Sequence, residues 1–281
     1  MTDAVTAFAS LHPDQWLDLL KRSVTEPVID GVAFARFPAD EVQIGFNGTA
    51  GEAAMTQAHA LWLYVDGLSR ALQSPLNTGS AVLDIGCGWG RVTRLFMKDV
   101  PADRIYGVDI NPRAIDLCRD LGVPGSFLQV APGAPLPFAD AAFSTITAFS
   151  VFTHLPETVA TALAGEIARL LRPGGLAVIT VEDRSFLELI SHPDAPLWGE
   201  RWRLLSQHRN QLDDLLRRHA AGDYIYLVTN DGPILSPDVY GDAVVPKAWI
   251  ETHWTGAMDL IAYVPAAPPI RQAVVALRKR G

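Results

Sequence analysis

The middle of the chain alternates short apolar runs with segments of helical periodicity. Many residues in the runs are β-branched, which is typical of strands buried in a parallel sheet. Such strands are predicted at residues 81–85, 105–109, 126–130, 143–149 and 176–181. Strands that alternate with helices form βαβ units, so the pattern predicts an α/β fold with a parallel sheet.

Helix signals fill the intervals between these strands. One helix is predicted at 91–98, after a glycine turn, and another at 113–121, where Asn111 suits the N-cap and Pro112 the first turn. Residues 156–171 carry apolar side chains at helical spacing and end in Arg-Pro-Gly-Gly. That ending predicts a helix stop followed by a turn.

The two ends of the chain give different patterns. Residues 1–79 predict an N-terminal helical extension that can act as a lid, with a loop at 38–51 between its amphipathic helices. Residues 256–281 predict two closing strands of the core sheet, at 258–264 and 272–278. The strands should complete the sheet that the middle of the chain begins.

A further segment, residues 185–255, is predicted to be an insertion on the acceptor side of the core. It contains a charged amphipathic helix at 200–219. Two aromatic runs follow at 224–229 and 234–245, and Asn-Asp-Gly-Pro at 230–233 divides them with strong turn chemistry. The segment therefore predicts a helix followed by a β-hairpin.

Composition narrows the class of protein. The chain has 281 residues, of which 49% are hydrophobic, so disorder is excluded as its main state. Its 23 Lys and Arg against 31 Asp and Glu give a net charge of −8, which argues against a nucleic-acid partner. The only cysteines, Cys87 and Cys118, predict neither a disulfide framework nor a zinc site. Without a signal peptide or a membrane-spanning stretch, we expect a cytoplasmic protein.

A glycine-rich turn, Asp-Ile-Gly-Cys-Gly-Trp-Gly-Arg at 84–91, joins the first core strand to the first core helix. Open α/β sheets bind ligands at such turns, where glycines allow close approach of the backbone. Arg91 stands where a pyrophosphate-binding turn needs its third glycine, so a dinucleotide fits poorly. Asp84 can order the turn and attract an ammonium group, and Asp109 can accept hydrogen bonds from both ribose hydroxyls. A nucleoside with an amino-acid tail meets these conditions.

The blocks VLDIGCGWGR, GVDI, APLPFADAAFSTI, FSVFTHL and LLRPGG lie in this order between residues 80 and 182. Together they resemble class I S-adenosylmethionine-dependent methyltransferases. The resemblance implies S-adenosyl-L-methionine as cofactor, a Rossmann-like core at 80–184, and a seven-stranded, mostly parallel sheet with helices on both faces. Within that class, the chain resembles bacterial small-molecule methyltransferases, including ones of secondary-metabolite and glycan pathways. This narrower resemblance rests on GCGWGR, SVFTHL, the helical extension and the hairpin. We therefore expect a small-molecule acceptor, no membrane partner and a possible homodimer.

The resemblance also assigns roles to individual residues. Gly86 and Gly88 should face the methionine part of the cofactor, Ile110 should pack against adenine, and Phe149 with Ser150 should line the floor near the sulfonium. The full set assigned to the cofactor is Asp84, Gly86, Cys87, Gly88, Arg91, Asp109, Ile110, Ala131, Phe149 and Ser150. The chain departs from many relatives where it lacks an Asp after the third strand, so backbone groups near Ala131 are expected to read adenine instead. Ser144 likewise replaces the usual Asp of the fourth-strand motif.

Two residues are candidates for acid–base chemistry. His154 follows the fourth core strand and can act as a general base toward a hydroxyl or an amine. The alternative is a helix-entry residue that packs under the cofactor. Glu182 ends the fifth strand and can take a proton or hold a cationic acceptor, whereas the alternative for Glu182 and Asp183 is a solvated loop.

Aromatic and basic residues of the insertion leave two interpretations open. They either wall an acceptor pocket and bind an anionic group, or stitch the hairpin to the sheet and form a solvated helix face. The residues concerned are Trp198, Trp202, Trp249, Trp254, Arg201, Arg203 and Arg209. The expected function is methylation of a small, partly apolar metabolite, with oxygen favoured over nitrogen or carbon. The alternatives are a nicotinamide-dependent oxidoreductase and a cofactor-binding module without turnover.

Overall fold

The computed structural model describes residues 4–195, 199–229, 236 and 239–281. The N-terminal region is mainly helical, as its amphipathic pattern predicts. Its elements are α1 (Ala4–Phe8), α2 (Pro13–Arg22), β1 (Val28–Ile29), β2 (Val32–Ala33), α3 (Asp40–Asn47) and α4 (Gly51–Ala71). Within the described residues, no helix is both long enough and apolar enough to cross a membrane.

The central region alternates strands and helices. Its strands are β3 (Val82–Ile85), β4 (Ile105–Asp109), β5 (Ser126–Gln129), β6 (Phe143–Ala148) and β7 (Leu171–Val181). Its helices are two 3-10 helices (Thr93–Lys98 and Ala102–Arg104), α5 (Pro112–Asp120) and α6 (Glu157–Leu170). Asn111 caps α5 through its side chain, as predicted, because its Oδ1 accepts the Arg113 N–H at 3.0 Å.

The rest of the chain adds helices, a small hairpin and two closing strands. The helices are α7 (Arg184–Ile190), α8 (Glu200–Leu205), a 3-10 helix (Ser206–Gln211), α9 (Leu212–Ala221) and α10 (Lys247–His253). The strands are β8 (Ile225–Leu227), β9 (Asp242–Val244), β10 (Met258–Val264) and β11 (Ala273–Lys279). β8 and β9 lie within the two predicted aromatic runs and pair antiparallel, as a hairpin requires, and the predicted turn between the runs lies outside the described residues.

Seven strands form one sheet in the order β10, β11, β7, β6, β3, β4, β5. β3 pairs in parallel with β4 and with β6, and β4 pairs in parallel with β5, whereas β10 and β11 are antiparallel. The predicted seven-stranded, mostly parallel Rossmann-like sheet is therefore confirmed. Because the chain leaves β3 toward β5 and then returns to its other side as β6, the glycine turn after β3 lies at a topological switch point, where open sheets bind ligands.

Four element predictions were wrong in detail. The loop predicted at 38–51 contains α3, and Gln43 explains why, since its side chain donates to Pro38 O at 2.8 Å and accepts the Gly51 N–H at 3.0 Å. The helix predicted at 200–219 is broken into α8, a 3-10 helix and α9. Single side-chain hydrogen bonds and helix breaks of this kind leave no periodic signal in the sequence.

The helix predicted at 91–98 and the turn predicted at 172–175 also differ. Only residues 93–98 are helical, as a 3-10 helix in which Arg94 donates to backbone carbonyls of Ala35 and Arg36, both at 3.2 Å. β7 begins directly after α6 and runs through the predicted turn. The chain does bend sharply there, because a Cβ on Gly175 would lie 2.9 Å from the Arg172 carbonyl oxygen.

The chain divides into two compact units. The first comprises residues 1–131, 138–149 and 170–178, and the second comprises 132–137, 150–169 and 179–281. Under the glycine turn, the first unit has a small apolar cluster: Ala35, Cys87, Ile115, Cys118, Val123 and Phe127. The second unit has its own cluster: Phe186, Leu187, Ile190, Leu205, Leu215, Ile225, Leu227 and Val244.

Candidate functional site

The glycine turn of the first unit is bound to the end of β4. Gly86 donates its N–H to Val108 O at 2.8 Å, and Gly88 donates its N–H to Asp109 Oδ2 at 2.9 Å. Gly88 has φ +54°, a left-handed conformation that disfavours other residues. The fold therefore brings the glycine turn into direct contact with Asp109, the residue predicted to bind the ribose.

The Asp109 carboxylate keeps room for further hydrogen bonds. Its Oδ1 accepts the Asn111 N–H at 2.8 Å and its Oδ2 accepts the Gly88 N–H. Burial raises the pKa of Asp109, and the N–H groups of Asn111, Gly88 and Ile110 oppose that rise. Each carboxylate oxygen has two lone-pair directions, so these three N–H groups leave capacity for at least one ligand hydroxyl.

Asp84 has a different environment at the end of β3. Its carboxylate is buried and accepts hydrogen bonds from the hydroxyls of Thr93 and Thr147, at 2.5 and 2.8 Å. Burial raises its pKa to about 6, while the two hydroxyls act in the opposite direction. These bonds join the strand before the turn to β6 and to the helix after the turn, so the geometry supports a role for Asp84 in ordering the turn.

Arg91 and Phe149, both predicted to bind the cofactor, are in contact. The Arg91 guanidinium carbon lies 4.5 Å from the centre of the Phe149 ring, and its Nη1 donates to Gln57 Oε1 at 2.5 Å. The side chain is buried, which lowers the pKa of Arg91 to about 10 and leaves it charged near neutral pH. A buried cation thus occupies the position at which a dinucleotide-binding turn needs a glycine.

Cys87 lies in the turn as a buried free thiol. Hydrogen bonding to the neighbouring Cys118 thiol, together with burial, raises the pKa of Cys87. Cys118 Sγ also lies 3.2 Å from Gly88 O. A protonated thiol is a poor nucleophile, which supports the interpretation of Cys87 as a small packing residue.

The two adenine candidates lie after neighbouring strands. Ile110 directly follows β4 and is half-buried, whereas Ala131 is exposed, two residues beyond the end of β5. Asp109 pairs with Gln129 across these strands, and Asp109 O accepts the Val130 N–H at 3.0 Å. The register therefore brings Ile110 and the Ala131 segment to the same edge of the sheet.

In the second unit, Ser150 has a strained backbone. Its φ of +60° is rare for a residue with a side chain. The Ser150 N–H donates to Thr180 Oγ1 at 2.8 Å, and its hydroxyl lies 3.3 Å from Thr153 Oγ1. Strained backbone held by surrounding hydrogen bonds is frequent at functional sites.

His154 is held in one orientation. Its Nδ1 lies 2.8 Å from Gly241 O, and its ring stacks on Tyr240 at 4.4 Å between centroids. A carbonyl cannot donate, so Nδ1 carries the proton and the lone pair of the neutral ring lies on Nε2. Burial lowers the pKa of His154 although Asp242, 3.8 Å from Nδ1, acts in the opposite direction. The neutral ring is therefore the main form near pH 7.

Glu182 and Asp183 are buried, so the solvated-loop interpretation is wrong for both. Burial raises the pKa of Glu182 to about 7, and Arg201 acts in the opposite direction. Asp183 caps α7 by accepting the Ser185 N–H at 2.9 Å. Glu182 thus has the protonation behaviour of an acid–base group, whereas Asp183 has a structural role.

The basic and aromatic residues of the insertion are largely engaged within the second unit. Arg201 forms an ion pair with the buried Asp242, which also accepts a hydrogen bond from Thr229. Trp249 and Trp254 are buried against each other with ring centroids 5.5 Å apart, which supports the stitching interpretation for these two. Trp202 packs against the apolar cluster of the second unit, and Trp198 lies outside the described residues.

The sequence patterns missed several residues around His154 and Glu182. Tyr240 and Asp242 contact the His154 ring, and Gln272 donates to Glu182 Oε1 at 3.2 Å. These residues lie 86 to 90 positions away from the groups they contact. The sequence offered one signal for these residues, which is that they lie near the ends of strands in the insertion and closing region.

A cavity of about 360 Å³ lies elsewhere in the first unit. It is lined by residues at the beginning of β3, β4 and β6, among them Ala81, Tyr106 and Phe143. The glycine turn follows the other end of β3, so the cavity is separate from the candidate cofactor site.

Comparison with known proteins supports the interpretation of the core. Residues 82–175 match the family model for a methyltransferase domain. The resemblance to class I S-adenosylmethionine-dependent methyltransferases is thereby confirmed for this segment, and the predicted cofactor is that of the class. The segment includes the glycine turn, Asp109 and Phe149, but the match covers neither the N-terminal helices nor the insertion.

Curated relatives carry methyltransferase names. The chain is 28% identical over 195 residues to methyltransferase GfsG of Streptomyces halstedii, covering 67% of this chain and 63% of the relative. It is 29% identical over 145 residues to O-methyltransferase cnsE of Penicillium expansum, covering 49% of each. It is 29% identical over 106 residues to 2-methyl-6-phytyl-1,4-hydroquinone methyltransferase of Synechocystis, covering 37% of this chain and 32% of the relative. The chain thus spans from 32% to 63% of the length of these relatives.

Solved structures share the fold. A Burkholderia thailandensis 1,6-didemethyltoxoflavin-N1-methyltransferase, solved with that compound and S-adenosylhomocysteine, has a TM-score of 0.51 at 16% identity over 96% of this chain and 92% of its own. The PH0226 protein of Pyrococcus horikoshii has a TM-score of 0.51 at 16% identity, over 79% and 90%. At this identity the likeness concerns the fold alone.

Proposed function

We propose that this chain transfers the methyl group of S-adenosyl-L-methionine to a small, partly apolar metabolite, with a hydroxyl oxygen as the favoured acceptor atom. The observation that carries the proposal is the Gly88 N–H bound to the Asp109 carboxylate within a methyltransferase domain. An O-methyltransferase and a hydroquinone methyltransferase among the relatives support a small acceptor.

The residues of the glycine turn fit this cofactor. When bound, S-adenosyl-L-methionine supplies an electrophilic methyl group. Asp109 would accept the ribose hydroxyls, and Gly86 and Gly88 would allow the backbone to approach the amino-acid part closely. Phe149 follows β6 at its carboxyl end and contacts Arg91, so it would form part of the floor of the site. Much of the rate of such a displacement comes from alignment and exclusion of water.

His154 would act on the acceptor. Its Nδ1–H is held by Gly241 O, which keeps the Nε2 lone pair available to take a proton from a hydroxyl. The lowered pKa of His154 keeps it in the base form at neutral pH. Removal of that proton would make the acceptor oxygen a stronger nucleophile.

Calorimetry with S-adenosylhomocysteine tests cofactor binding. The native chain should bind it, and Asp109→Ala should weaken binding at least tenfold because the charge-assisted hydrogen bonding to the ribose is lost. Asp116→Ala is the matched control, since Asp116 is an exposed carboxylate on α5. Absence of binding by the native chain, or equal binding by both variants, would contradict the proposal.

Turnover needs a separate experiment. The native chain is incubated with labelled S-adenosyl-L-methionine and a panel of phenols, alcohols and amines, and labelled products are identified by mass spectrometry. His154→Asn places an amide N–H near Nδ1 but removes Nε2, so it should lower kcat about 100-fold without loss of S-adenosylhomocysteine affinity. Cofactor binding without any methylated product would instead favour a module without turnover.

Three finer expectations belong to the proposal: a cytoplasmic location, a homodimer and no nucleic-acid partner. Both cysteines are free thiols, which fits the reducing conditions of the cytoplasm. Light scattering tests the expected homodimer, and titration with duplex DNA and with RNA tests the expectation that nucleic acid is not a partner.

A further inference from the structure

One side chain connects three separate parts of the second unit. Gln272 is half-buried directly before β11. Its Oε1 accepts the Thr180 hydroxyl at 2.7 Å, and its Nε2 donates to Ser150 Oγ at 3.0 Å and to Glu182 Oε1 at 3.2 Å. The oxygen and both N–H groups of the amide are used, so Gln272 is held at three points.

The neighbouring bonds determine which way the amide faces. Thr180 Oγ1 accepts the Ser150 N–H, so the hydroxyl hydrogen of Thr180 is directed at Gln272 Oε1. The amide nitrogen of Gln272 must then face Ser150 Oγ and the Glu182 carboxylate. When Glu182 is ionised, the opposite orientation would place the amide oxygen against the carboxylate and remove the N–H that Glu182 accepts.

The network acts on a strained residue. Ser150 has φ +60°, which costs free energy for a residue with a side chain and needs compensation from its surroundings. Thr180 holds the Ser150 N–H and Gln272 holds its hydroxyl. Together they stabilise the conformation of the residue that directly follows Phe149.

The network also acts on the charge of Glu182. Burial raises the pKa of this carboxyl to about 7. Arg201 and the Gln272 amide oppose the rise, whereas Asp242 and Asp183 add to it. Because Gln272 donates an N–H, it favours the ionised form and limits the directions in which the carboxylate can turn.

We propose that Gln272 is a positioning residue that keeps the Glu182 carboxylate in one orientation and Ser150 in its left-handed turn for methyl transfer. Its kinetic consequence rests on the proposed function, but the network itself does not. Gln272 thus holds Glu182, which the sequence indicates for acid–base chemistry, and Ser150, which the resemblance assigns to the floor of the cofactor site.

The first test is the titration of Glu182 in the full chain, followed by NMR of carboxyl carbons and assigned by the signal lost in Glu182→Gln. Gln272→Met has similar length but no hydrogen bonds, so the midpoint should rise by about one pH unit. Gln207→Met, at an exposed position, is the control and should leave the midpoint unchanged. An unchanged midpoint in Gln272→Met would overturn the proposal.

Thermal unfolding shows whether Gln272→Met folds. If it does not, Thr180→Val removes the hydroxyl that orients the amide and should raise the midpoint by a smaller amount. An unchanged titration in Thr180→Val would then overturn the proposal.

Kinetics with an accepted substrate test the positioning role. Gln272→Met should lower kcat about tenfold with little change in acceptor KM, and the acidic limb of the pH profile should move with the NMR midpoint. Native turnover that Gln272→Met leaves unaltered would overturn the role. If the midpoint shifts but the native chain methylates nothing, the proposed function fails and the network stands.

Discussion

Two carboxylates at the ends of adjacent strands show how local environment separates structural from binding roles. Asp84 is buried and accepts hydrogen bonds from Thr93 and Thr147. Asp109 is half-buried and accepts backbone N–H groups from Gly88 and Asn111. Residue type and distance from the glycine turn do not separate them, because both are aspartates at a strand end. Burial and partners do, and they favour Asp84 as the group that orders the turn and Asp109 as the group that binds.

The backbone of the turn gives a prediction for single residues. A Cβ at Gly90 would lie 2.7 Å from a Val123 methyl group, and Gly90 has φ +78°. Gly48 has φ +73° but no neighbour within 4 Å of its Cβ position. Gly48→Ala should therefore lower the free energy of unfolding by about 1 kcal/mol, for backbone strain alone. Gly90→Ala should cost about 1–3 kcal/mol more, because it also overpacks.

Urea unfolding of both variants measures this difference. Val123→Ala removes the methyl groups that a Cβ at residue 90 would meet. Gly90→Ala should therefore cost less free energy of unfolding in the Val123→Ala background than in the native chain. Equal costs at Gly90 and Gly48 would show that the Val123 contact is not limiting.

The elements that can be predicted from sequence are those with local signals. α5 begins at Pro112 because Asn111 caps it, and β4 coincides with the predicted 105–109. α3 and the 3-10 form of residues 93–98 could not be predicted, since Gln43 bonds to backbone groups just outside α3 and Arg94 bonds to backbone groups almost 60 residues away. A short element whose free energy comes from tertiary contacts has no periodicity of its own to detect.

The cap of α5 gives a prediction at the scale of one element. Asn111→Ala removes the acceptor for the Arg113 N–H and should lower the free energy of unfolding by about 1 kcal/mol. Asn111→Asp keeps an acceptor oxygen and adds a favourable charge at the helix N-terminus, so it should be close to native. Chemical unfolding followed by circular dichroism measures both variants, and equal losses would mean that the side-chain cap contributes nothing.

Across the whole molecule, the candidate site was only partly predictable. Gly88 follows β3 and Asp109 ends the neighbouring parallel strand β4, and the fold itself brings such positions together. Gln272 reaches Glu182 from 90 residues further along the chain, and Asp242 reaches His154 from 88. No motif connects these pairs, because their contact depends on how the insertion and the closing strands pack.

Stability should depend on pH through buried carboxyl groups. Burial raises the pKa of Asp84 from 3.8 to about 6 and that of Glu182 from 4.5 to about 7. Between the unfolded and the folded pKa of each group, the folded chain binds more protons than the unfolded chain. Both groups therefore lower the free energy of unfolding as pH rises from about 4 to about 7. His154 opposes this, since its lowered pKa makes stability rise with pH below 6.5.

A difference measurement isolates one group from that sum. Glu182→Gln cannot ionise, so its stability relative to the native chain should improve by up to about 3 kcal/mol between pH 4 and pH 8. Glu166→Gln is the opposite control, because hydrogen bonding from Arg169 lowers the pKa of Glu166 and its relative stability should fall as pH rises through the acid range. Urea unfolding at a series of pH values gives both differences. If the free energies of unfolding of the native chain and Glu182→Gln changed with pH in parallel, Glu182 would ionise with the same pKa in the folded and unfolded chains. That result would contradict the prediction, which rests on the burial of Glu182.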